Sequence, residues 1–201
     1  VAAFCNGVAI DTSFGTSPQS GLPQNNRVGD IDVFAVLYMM KKLALGPDQM
    51  AAILGSESGL AGISGTSGDI RDMDEAAARG DKRSRLALDV FVYAIRHYLG
   101  AFLIQLGGVD AITFSGGIGE NSKEIRAAVL RDLSNFGIAM DTARNDSVKG
   151  EGIISTDQSA VRVFIVPANE EIVVARETVA VVVRSREAAQ TITGNRVLTR
   201  Q

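Results

Sequence analysis

Residues 111–122 of the chain read A-I-T-F-S-G-G-I-G-E-N-S. The apolar run at 111–114 is typical of a short strand, and the glycines after it predict a tight turn. Asn121 and Glu124 stand three residues apart, as an N-cap and its capping-box partner do where a helix begins. Such a turn lets a ligand approach the bare backbone and meet free N–H groups, although it can equally serve close packing alone. The stretch therefore predicts an α/β fold with a candidate nucleotide site.

The composition limits the class of protein. The chain has 201 residues, of which 46% are hydrophobic and 21% are charged, as expected for one globular domain. The net charge is −3, and no basic stripe with interleaved aromatic residues occurs, so we expect no nucleic-acid partner. No apolar run of 18 residues without a charge occurs, so we also expect no membrane partner.

The scarcity of cysteine and histidine limits the chemistry further. Cys5 is the single cysteine, so the chain has no internal disulfide and fits a reducing, cytoplasmic location. One cysteine and one histidine cannot build a Cys/His metal site, so any metal would need oxygen ligands, as Mg²⁺ does. His97 falls on the predicted apolar face of the longest helix (84–106), with no serine, cysteine or aspartate at triad-like spacing. We expect His97 to be structural. The predicted face consists of Leu86, Val90, Tyr93, Ala94, His97, Ala101 and Ile104.

The first third of the chain predicts a hairpin, a long loop and two helices. Runs 1–4 and 8–12 flank Asn6-Gly7, which suits a type I′ hairpin turn. Residues 13–32 are dense in Gly, Pro, Asn and Ser, which predicts a long ordered loop. Arg27 could pin this loop by an ion pair with Asp30 or Asp32, or it could contact a ligand. Helices are expected at 31–44 and 47–54.

A second glycine-rich stretch, 55–68, is predicted to be a loop anchored by Leu60 and Ile63. It ends in D-I-R-D at 69–72, an Asp/Arg cluster that either caps the helix at 73–78 or binds ribose hydroxyls and covers a base.

The last third predicts helices and strands around a second candidate site. We expect a helix at 122–136, a short strand at 137–140, a helical turn at 141–147, and strands at 153–155 and 161–166, the latter central. P-A-N-E-E at 167–171 lies at the carboxyl end of that strand, where α/β folds place ligands. Glu170 and Glu171 could hold Mg²⁺ or complement the dipole of a helix at 172–186 that Asn169 caps. Residues 187–201 form a polar, loosely packed tail.

Four motifs occur in a characteristic order. They are D-T-S-F-G-T-S-P-Q-S-G-L-P-Q-N-N-R-V-G-D-I-D at 11–32, S-G-D-I-R-D at 67–72, F-S-G-G-I-G-E-N at 114–121 and P-A-N-E-E at 167–171. Together they resemble the C-terminal half of acetate kinase and its propionate and butyrate kinase relatives, from residue 1 to about 178. The resemblance implies an RNase-H-like fold of the actin, Hsp70 and sugar kinase type, with a mixed sheet flanked by helices. Residues 1–186 would form its C-terminal nucleotide-binding domain.

The resemblance also implies a reaction and roles for individual residues. The family transfers a phosphoryl group between ATP and a short-chain carboxylate, giving an acyl phosphate and ADP with Mg²⁺. Arg27 is then the arginine that neutralises the carboxylate or the transferring phosphoryl group, and Glu170 is the Mg²⁺-linked carboxylate. The adenosine is expected against seven residues, namely Asp69, Ile70, Arg71, Gly117, Ile118, Gly119 and Asn121.

The chain also departs from the family pattern. Gln24-Asn25-Asn26 replaces the commoner Met-Gly-Thr before Arg27, so the preferred acyl chain is open. We find no counterpart of the N-terminal half, with its H-x-G-N-G phosphate loop, second substrate arginine and catalytic His and Asp. We therefore expect this chain to bind nucleotide weakly and to catalyse no turnover alone. The family also implies a homodimer.

Two other interpretations stay open at this point. Gly117-x-Gly119-x-x-Ser122, with Asp141 further on, is one residue short of a dinucleotide-binding fingerprint, which would indicate a Rossmann-type NAD domain. Alternatively, the chain is a non-catalytic nucleotide-binding or assembly module that kept the fold and lost the chemistry.

Overall fold

The computed structural model describes the backbone of residues 1–198 and the side chains of residues 1–169 and 171–185. Its strands are β1 (Ala2–Cys5), β2 (Val8–Thr12), β3 (Ala111–Phe114), β4 (Gly152–Ile153) and β5 (Arg162–Ile165). Its helices are α1 (Val33–Leu43), α2 (Pro47–Ser56), α3 (Gly59–Ser64), α4 (Ile70–Ala78), α5 (Lys82–Gln105), α6 (Gly116–Asn121), α7 (Lys123–Leu130), a 3₁₀ turn (Ser134–Phe136), α8 (Thr142–Ser147) and α9 (Glu170–Leu198).

The described strands form two separate sheets. β1 and β2 make the predicted antiparallel hairpin, and Asn6 and Gly7 have the positive φ values (50° and 78°) that its two-residue turn requires. The second sheet has the order β3-β5-β4, with β3 parallel and β4 antiparallel to β5. The sheet is therefore mixed, and the expectation that the strand within 161–166 is central is confirmed.

Helix α5 contributes to two apolar cores. The first core contains Leu88 and Phe91 of α5 together with residues of α3, α4 and α7. The second lies around the three-stranded sheet, where Val163 and Ile165 of β5 are buried. Leu99 of α5 packs against both cores. Burial of these side chains along one long helix holds the sheet and the helical layer together.

The buried face of α5 differs from the predicted one. Ala87, Leu88 and Phe91 are buried, whereas Tyr93 and Ile104 of the predicted face are exposed. The prediction failed because α5 is apolar on more than one side, so periodicity alone does not select the face that packs.

His97 is also exposed, so its placement on a buried apolar face was wrong. Its ring stacks on Tyr93 at a centroid distance of 6.5 Å and meets the edge of Tyr98 at 5.7 Å.

By length and composition, α5 is also capable of crossing a membrane, since its most apolar 18-residue window has a mean hydropathy of 1.4. In this structure it packs against α3, α4 and α7 instead. Contact with these three helices accounts for only part of this apolar composition, since other apolar side chains of α5, such as Tyr93 and Ile104, are exposed.

Several local expectations were corrected. The glycine-rich loop at 55–68 contains α3, whose Leu60 is fully buried. The helix expected at 122–136 ends at Leu130, since Arg131 is extended and Asp132 has a φ of 60°. The strand expected at 137–140 is reduced to one bridge, between Met140 and Ser155.

At the other end of the chain, α9 does not stop at residue 186. It continues to Leu198, so residues 187–198 of the expected loose tail are helical, and residues 199–201 lie outside the described part of the chain.

Candidate active site

A cavity of about 430 Å³ lies between the start of α4 and the turn that follows β3. Two segments that are far apart in sequence, 69–71 and 117–121, meet there. All the residues predicted to contact adenosine border this cavity except Gly119. The full lining is Asn25, Asp69, Ile70, Arg71, Asp74, Gly117, Ile118, Asn121, Ser122 and Glu124.

Asp69 and Arg71, which both line the cavity, form a hydrogen-bonded ion pair with each other. Asp69 caps α4 by accepting the backbone N–H of Arg71 at 2.8 Å, and it accepts two hydrogen bonds from the Arg71 guanidinium at 3.1 and 2.7 Å. These bonds lower the pKa of Asp69 to about 2. Arg71 stays 88% exposed, so its flat guanidinium can lie against a planar ligand. Capping and ligand contact are therefore compatible roles for this pair.

The glycine turn after β3 is a short helix, α6, and not an open loop. Asn121 is not the N-cap of the next helix: its Nδ2 donates to the Gly117 carbonyl at 2.8 Å. Ser122 caps α7 instead, accepting the N–H of Ile125 at 3.2 Å. The cap therefore lies one residue later than predicted, because the Ser122 hydroxyl reaches a free N–H of the first turn while the Asn121 side chain is engaged within α6.

The two glycines of this turn have different surroundings. A Cβ built on Gly117 meets no protein atom within 4 Å, so a side chain there would enter the cavity. A Cβ on Gly119 would lie 3.4 Å from Phe114, and Gly119 therefore allows α6 to pack against β3. Of the predicted pair, Gly117 borders the ligand space and Gly119 serves packing.

Arg126 holds the end of α6 in place, and sequence reasoning missed it. Its side chain is 2% exposed, and Nη1 donates to the carbonyls of Gly119 and Glu120 at 3.0 and 2.9 Å. Nε donates to Asn145 Oδ1 at 2.8 Å, which links α6 to α8. Burial lowers the pKa of Arg126. Its partners lie in α6 and α8, so the local pattern around Arg126 could not single it out.

Glu120 joins the turn to the segment that precedes α9. Its Oε1 accepts the N–H of Gly116 at 2.7 Å and that of Ala168 at 2.9 Å. The glycine turn at 116–121 and residues 167–169 are thus fixed to each other by one carboxylate oxygen. Glu120 lies within the G-G-I-G-E-N motif. The two N–H groups that it accepts from come together only in the folded chain, so the sequence did not predict this contact.

Two further acidic residues of the lining were not predicted. Burial, followed by the nearby charge of Glu124, raises the pKa of Asp74, and Arg85 partly opposes this. Asp69, Asp74 and Glu124 give the lining three carboxylates against the one guanidinium of Arg71. Carboxylates accept hydrogen bonds from hydroxyl and amino groups and repel phosphate. The cavity chemistry therefore fits the nucleoside end of a nucleotide.

The loop at 13–32 is ordered, and backbone contacts hold its end beside the cavity. Gln24 donates to the carbonyl of Arg27 at 3.0 Å, and the Gln24 carbonyl accepts the N–H of Leu60 at 2.9 Å. Gly59 permits this approach: its φ is 60°, and a Cβ there would clash with the Gln24 carbonyl oxygen. Asn25, two residues before Arg27, borders the cavity.

Arg27 does not form the predicted ion pair. Asp30 accepts hydrogen bonds from the Gly21 N–H at 2.8 Å and from the Tyr98 hydroxyl, while Asp32 caps α1 by accepting the N–H of Phe34 at 2.7 Å. Among the described side chains, Arg27 takes part in no ion pair within 4.0 Å. The loop is therefore ordered by other contacts, and Arg27 itself does not line the cavity between α4 and the glycine turn.

The second predicted carboxylate site begins α9. Asn169 Oδ1 accepts the N–H of Ile172 at 3.0 Å, which confirms the predicted cap. Glu170 is the first residue of α9, and its side chain lies outside the described residues. Among the side chains that are described, no group of three or more His, Cys, Asp or Glu residues could hold a metal ion. The assignment of Glu170 to Mg²⁺ stays a prediction.

A sequence profile of the acetokinase family matches residues 1–176. The chain belongs to the acetokinase family. It is 44% identical over 178 residues to the acetate kinase of Desulforamulus reducens, covering 89% of this chain and 45% of that protein. It is 45% identical over 183 residues to the acetate kinase of Dictyoglomus thermophilum, covering 90% of this chain and 46% of the relative.

Solved structures of acetokinase relatives share the fold. The crystal structure of Porphyromonas gingivalis acetate kinase superposes with a TM-score of 0.85 at 36% identity, over 90% of this chain and 46% of that one. A Francisella tularensis propionate kinase gives a TM-score of 0.81 at 32% identity, over 88% of this chain and 45% of that one. The expected RNase-H-like α/β fold is confirmed, and the Rossmann interpretation is wrong. The chain spans less than half the length of these relatives.

Proposed function

We propose that this chain supplies the nucleotide-binding half of an acetate kinase-type phosphotransferase. The enzyme would move a phosphoryl group between ATP and acetate or another short-chain carboxylate, forming an acyl phosphate and ADP. One observation carries the proposal: in a chain of the acetokinase family, the 69–71 segment and the turn at 117–121 meet at one cavity. A propionate kinase among the structural relatives leaves the length of the acyl group open.

The adenosine of ATP or ADP would occupy the cavity. The exposed Arg71 guanidinium would cover one face of the base, and Gly117 leaves room for the ligand because no side chain intrudes. The acidic lining would accept hydrogen bonds from ribose hydroxyls. Because the same carboxylates repel phosphate, the phosphate groups would point out of the cavity.

The reacting phosphoryl group would lie outside this cavity, where Arg27 and Glu170 act. Arg27, held by a backbone-fixed loop and free of ion pairs among the described side chains, has its charge available for a carboxylate or a phosphoryl oxygen. The Glu170 carboxylate would hold Mg²⁺, an ion that proteins bind through one or two carboxylates together with substrate phosphates. When bound, Mg²⁺ neutralises charge on the transferring group.

The chain would work with the half of the enzyme that it does not span, and as a homodimer. The exposed apolar side chains along α5 support a self-association surface, with Tyr93 72% and Ile104 79% exposed. We retain the cytoplasm as the expected location, which fits the free Cys5.

Two measurements test the proposed function. Calorimetric titration of the purified chain should show binding of ATP and ADP in preference to NAD; tighter binding of NAD would contradict it. For catalysis, the chain replaces the matching segment of the Dictyoglomus thermophilum enzyme, to which it is 45% identical. Acyl phosphate formation by this chimera, abolished by Arg27→Ala, would support the proposal. A folded chimera that binds ATP and forms no acyl phosphate would favour the non-catalytic module.

A further inference from the structure

The cavity between α4 and the glycine turn is bordered by a residue of the loop that carries Arg27. Of the described lining residues, Asn25 alone comes from the loop at 13–32. Asn25 is exposed, and within the described part of the chain its hydrogen bond is made by its backbone carbonyl. Its carboxamide is therefore available to a ligand, at the place where the rim of the cavity and the loop of Arg27 meet.

Backbone contacts fix the position of Asn25. The carbonyls of residues 24–26 accept N–H groups at the start of α3, a helix whose cap makes no side-chain hydrogen bond. The donors to these three carbonyls, in chain order of the acceptors, are Leu60, Ala61 and Ser58, at 2.9, 2.7 and 3.0 Å. On its other side, the Asn25 carbonyl lies against Gly68, where a Cβ would be 2.5 Å from that oxygen. The main chain of Asn25 is thus held between α3 and the start of α4 without help from its side chain.

Asn25 also lies between the cavity and Arg27. Two residues of chain span at most about 7 Å, so the Cα atoms of Asn25 and Arg27 are no further apart than that. The Gln24 N–H donates to the Arg27 carbonyl at 3.0 Å, which closes the turn between them. A nucleotide whose nucleoside fills the cavity and whose last phosphate reaches Arg27 would therefore pass Asn25 with its first phosphate.

The chemistry of a carboxamide suits this position. The three carboxylates of the lining repel phosphate, whereas the NH₂ group of an asparagine is an uncharged donor of two hydrogen bonds. Asparagine side chains commonly donate to phosphate oxygens. Asn121 is the other carboxamide of the described lining, and its Nδ2 already donates to the Gly117 carbonyl. Asn25 is thus a donor that can meet a phosphate where the nucleoside cavity ends.

We propose that the Asn25 carboxamide donates a hydrogen bond to the α-phosphate of the bound nucleotide and directs the following phosphates toward Arg27. The inference rests on the proposed nucleotide site and adds the group that receives the first phosphate. It also gives a role to a departure from the family pattern. Asn25 stands where the commoner Met-Gly-Thr has glycine, which has no side chain to donate.

The binding of three ligands to the purified chain tests this contact. Adenosine, AMP and ADP share the nucleoside and differ in their phosphates, and NMR titration measures their affinities even when binding is weak. Asn25→Gly removes the donor and should weaken the binding of AMP and ADP about tenfold or more, as for a hydrogen bond to a charged group, while adenosine binds as before. Asn25→Asp places a negative charge against the phosphate and should weaken AMP and ADP further.

Asn26 supplies the matched controls. It is also exposed, its carbonyl also bonds to α3, and it is not among the described lining residues of the cavity. Asn26→Gly introduces the same flexibility and should leave the binding of AMP unchanged. Asn26→Asp introduces the same charge one residue away and should weaken AMP at most about fivefold, as for exposed charges in water. Equal losses at positions 25 and 26 would overturn the inference.

The side-chain amide of Asn25 gives an independent readout in the parent chain, which does not depend on any variant folding. Its NH₂ proton resonances, assigned by triple-resonance experiments, should move downfield on addition of AMP or ADP and stay in place with adenosine. A shift with adenosine as large as that with AMP would place the contact on the nucleoside and overturn the inference, and so would the lack of a shift with bound AMP.

The same titrations separate this contact from the proposed function. If the parent binds none of the three ligands, the proposed nucleotide site is wrong, and the contact of Asn25 with it. If the parent and Asn25→Gly bind AMP and ADP equally well, the nucleotide site stands and only the role of Asn25 is refuted.

Discussion

Glu120 accepts the backbone N–H of Ala168 at 2.9 Å, across 48 residues of chain. The same oxygen accepts the N–H of Gly116 at 2.7 Å. One side of the proposed adenosine cavity and the segment leading to Glu170 are therefore fixed to each other through a single carboxylate. The two ends of the proposed nucleotide site are coupled by this contact.

Replacement of Glu120 should destabilise the backbone around both Gly116 and Ala168. Glu120→Ala leaves two backbone N–H groups without their acceptor and should lower the free energy of unfolding by about 1–2 kcal/mol. Amide exchange at Gly116 and Ala168 should accelerate together. Glu120→Gln retains an acceptor oxygen and should lose less stability. Acceleration at only one of the two amides would show that the segments are not coupled through Glu120.

Gly117→Val should weaken ATP binding without affecting the fold. A Cβ at this position has no protein atom within 4 Å, and the backbone lacks a positive φ, so the isolated chain should keep its stability. The valine would enter the cavity, and overpacking costs about 1–3 kcal/mol, so we expect roughly 5- to 150-fold weaker binding by calorimetry. Gly100→Val, away from the cavity, is the matched control. Unchanged ATP affinity would place the adenosine elsewhere.

Arg126→Met should destabilise the chain strongly. Methionine fills much of the volume but leaves the carbonyls of Gly119 and Glu120 and the side chain of Asn145 without their donor. We expect the free energy of unfolding in urea to fall by roughly 2–4 kcal/mol. Arg131→Met changes an exposed arginine in the same way and should have little effect. Similar losses for the two variants would argue against the buried network.

The Asp69–Arg71 pair should make stability depend on pH in the acid range. The pKa of Asp69 is lowered from 3.8 in the unfolded chain to about 2 in the folded protein. The pair's contribution is therefore complete above the unfolded pKa and is lost as the pH falls through the folded value. Asp69→Asn and Arg71→Gln should each be less stable than the parent at about pH 6, by differences that shrink toward about pH 2. A difference in urea midpoint between parent and variant that stays constant from about pH 6 to about pH 2 would contradict this.

Tyr93→Asp should weaken the proposed homodimer. Tyr93 is exposed on the apolar face of α5, and a tyrosine at the centre of an interface commonly contributes about 2 kcal/mol or more, which is roughly 30-fold in the dissociation constant. Leu37→Asp changes an exposed apolar residue in the middle of α1 and serves as control. Sedimentation velocity should show monomers for Tyr93→Asp only. Equal dimerisation of both variants would place the interface elsewhere.

The sequence predicted the parts of this fold whose signals are local. The Asn6-Gly7 turn, the Asn169 cap and the central position of β5 depend on a few adjacent residues, and all three are confirmed. The prediction that segment 69–71 and the glycine turn share one ligand came from the order of motifs, and the structure brings these segments to one cavity.

Contacts between residues that are distant in the chain could not be predicted from the sequence. Arg126 and Glu120 act on carbonyl and N–H groups whose positions exist only in the folded chain. The prediction of the buried face of α5 failed for a related reason. Apolar residues lie on several sides of this helix, and only packing against α3, α4 and α7 determines which side is buried. The alternative in which Arg27 pins the loop by an ion pair is wrong because Asp30 and Asp32 accept hydrogen bonds from other groups.

The loop that carries Arg27 keeps its shape through main-chain bonds to α3 and through Gly59, so its conformation does not depend on the arginine side chain. Arg27→Ala would therefore remove the guanidinium without changing the loop, and would leave free the space that its side chain occupied. Free guanidinium ion in the buffer could then occupy that space and restore the lost charge. Chemical rescue of this kind would separate the electrostatic contribution of Arg27 from any role in folding.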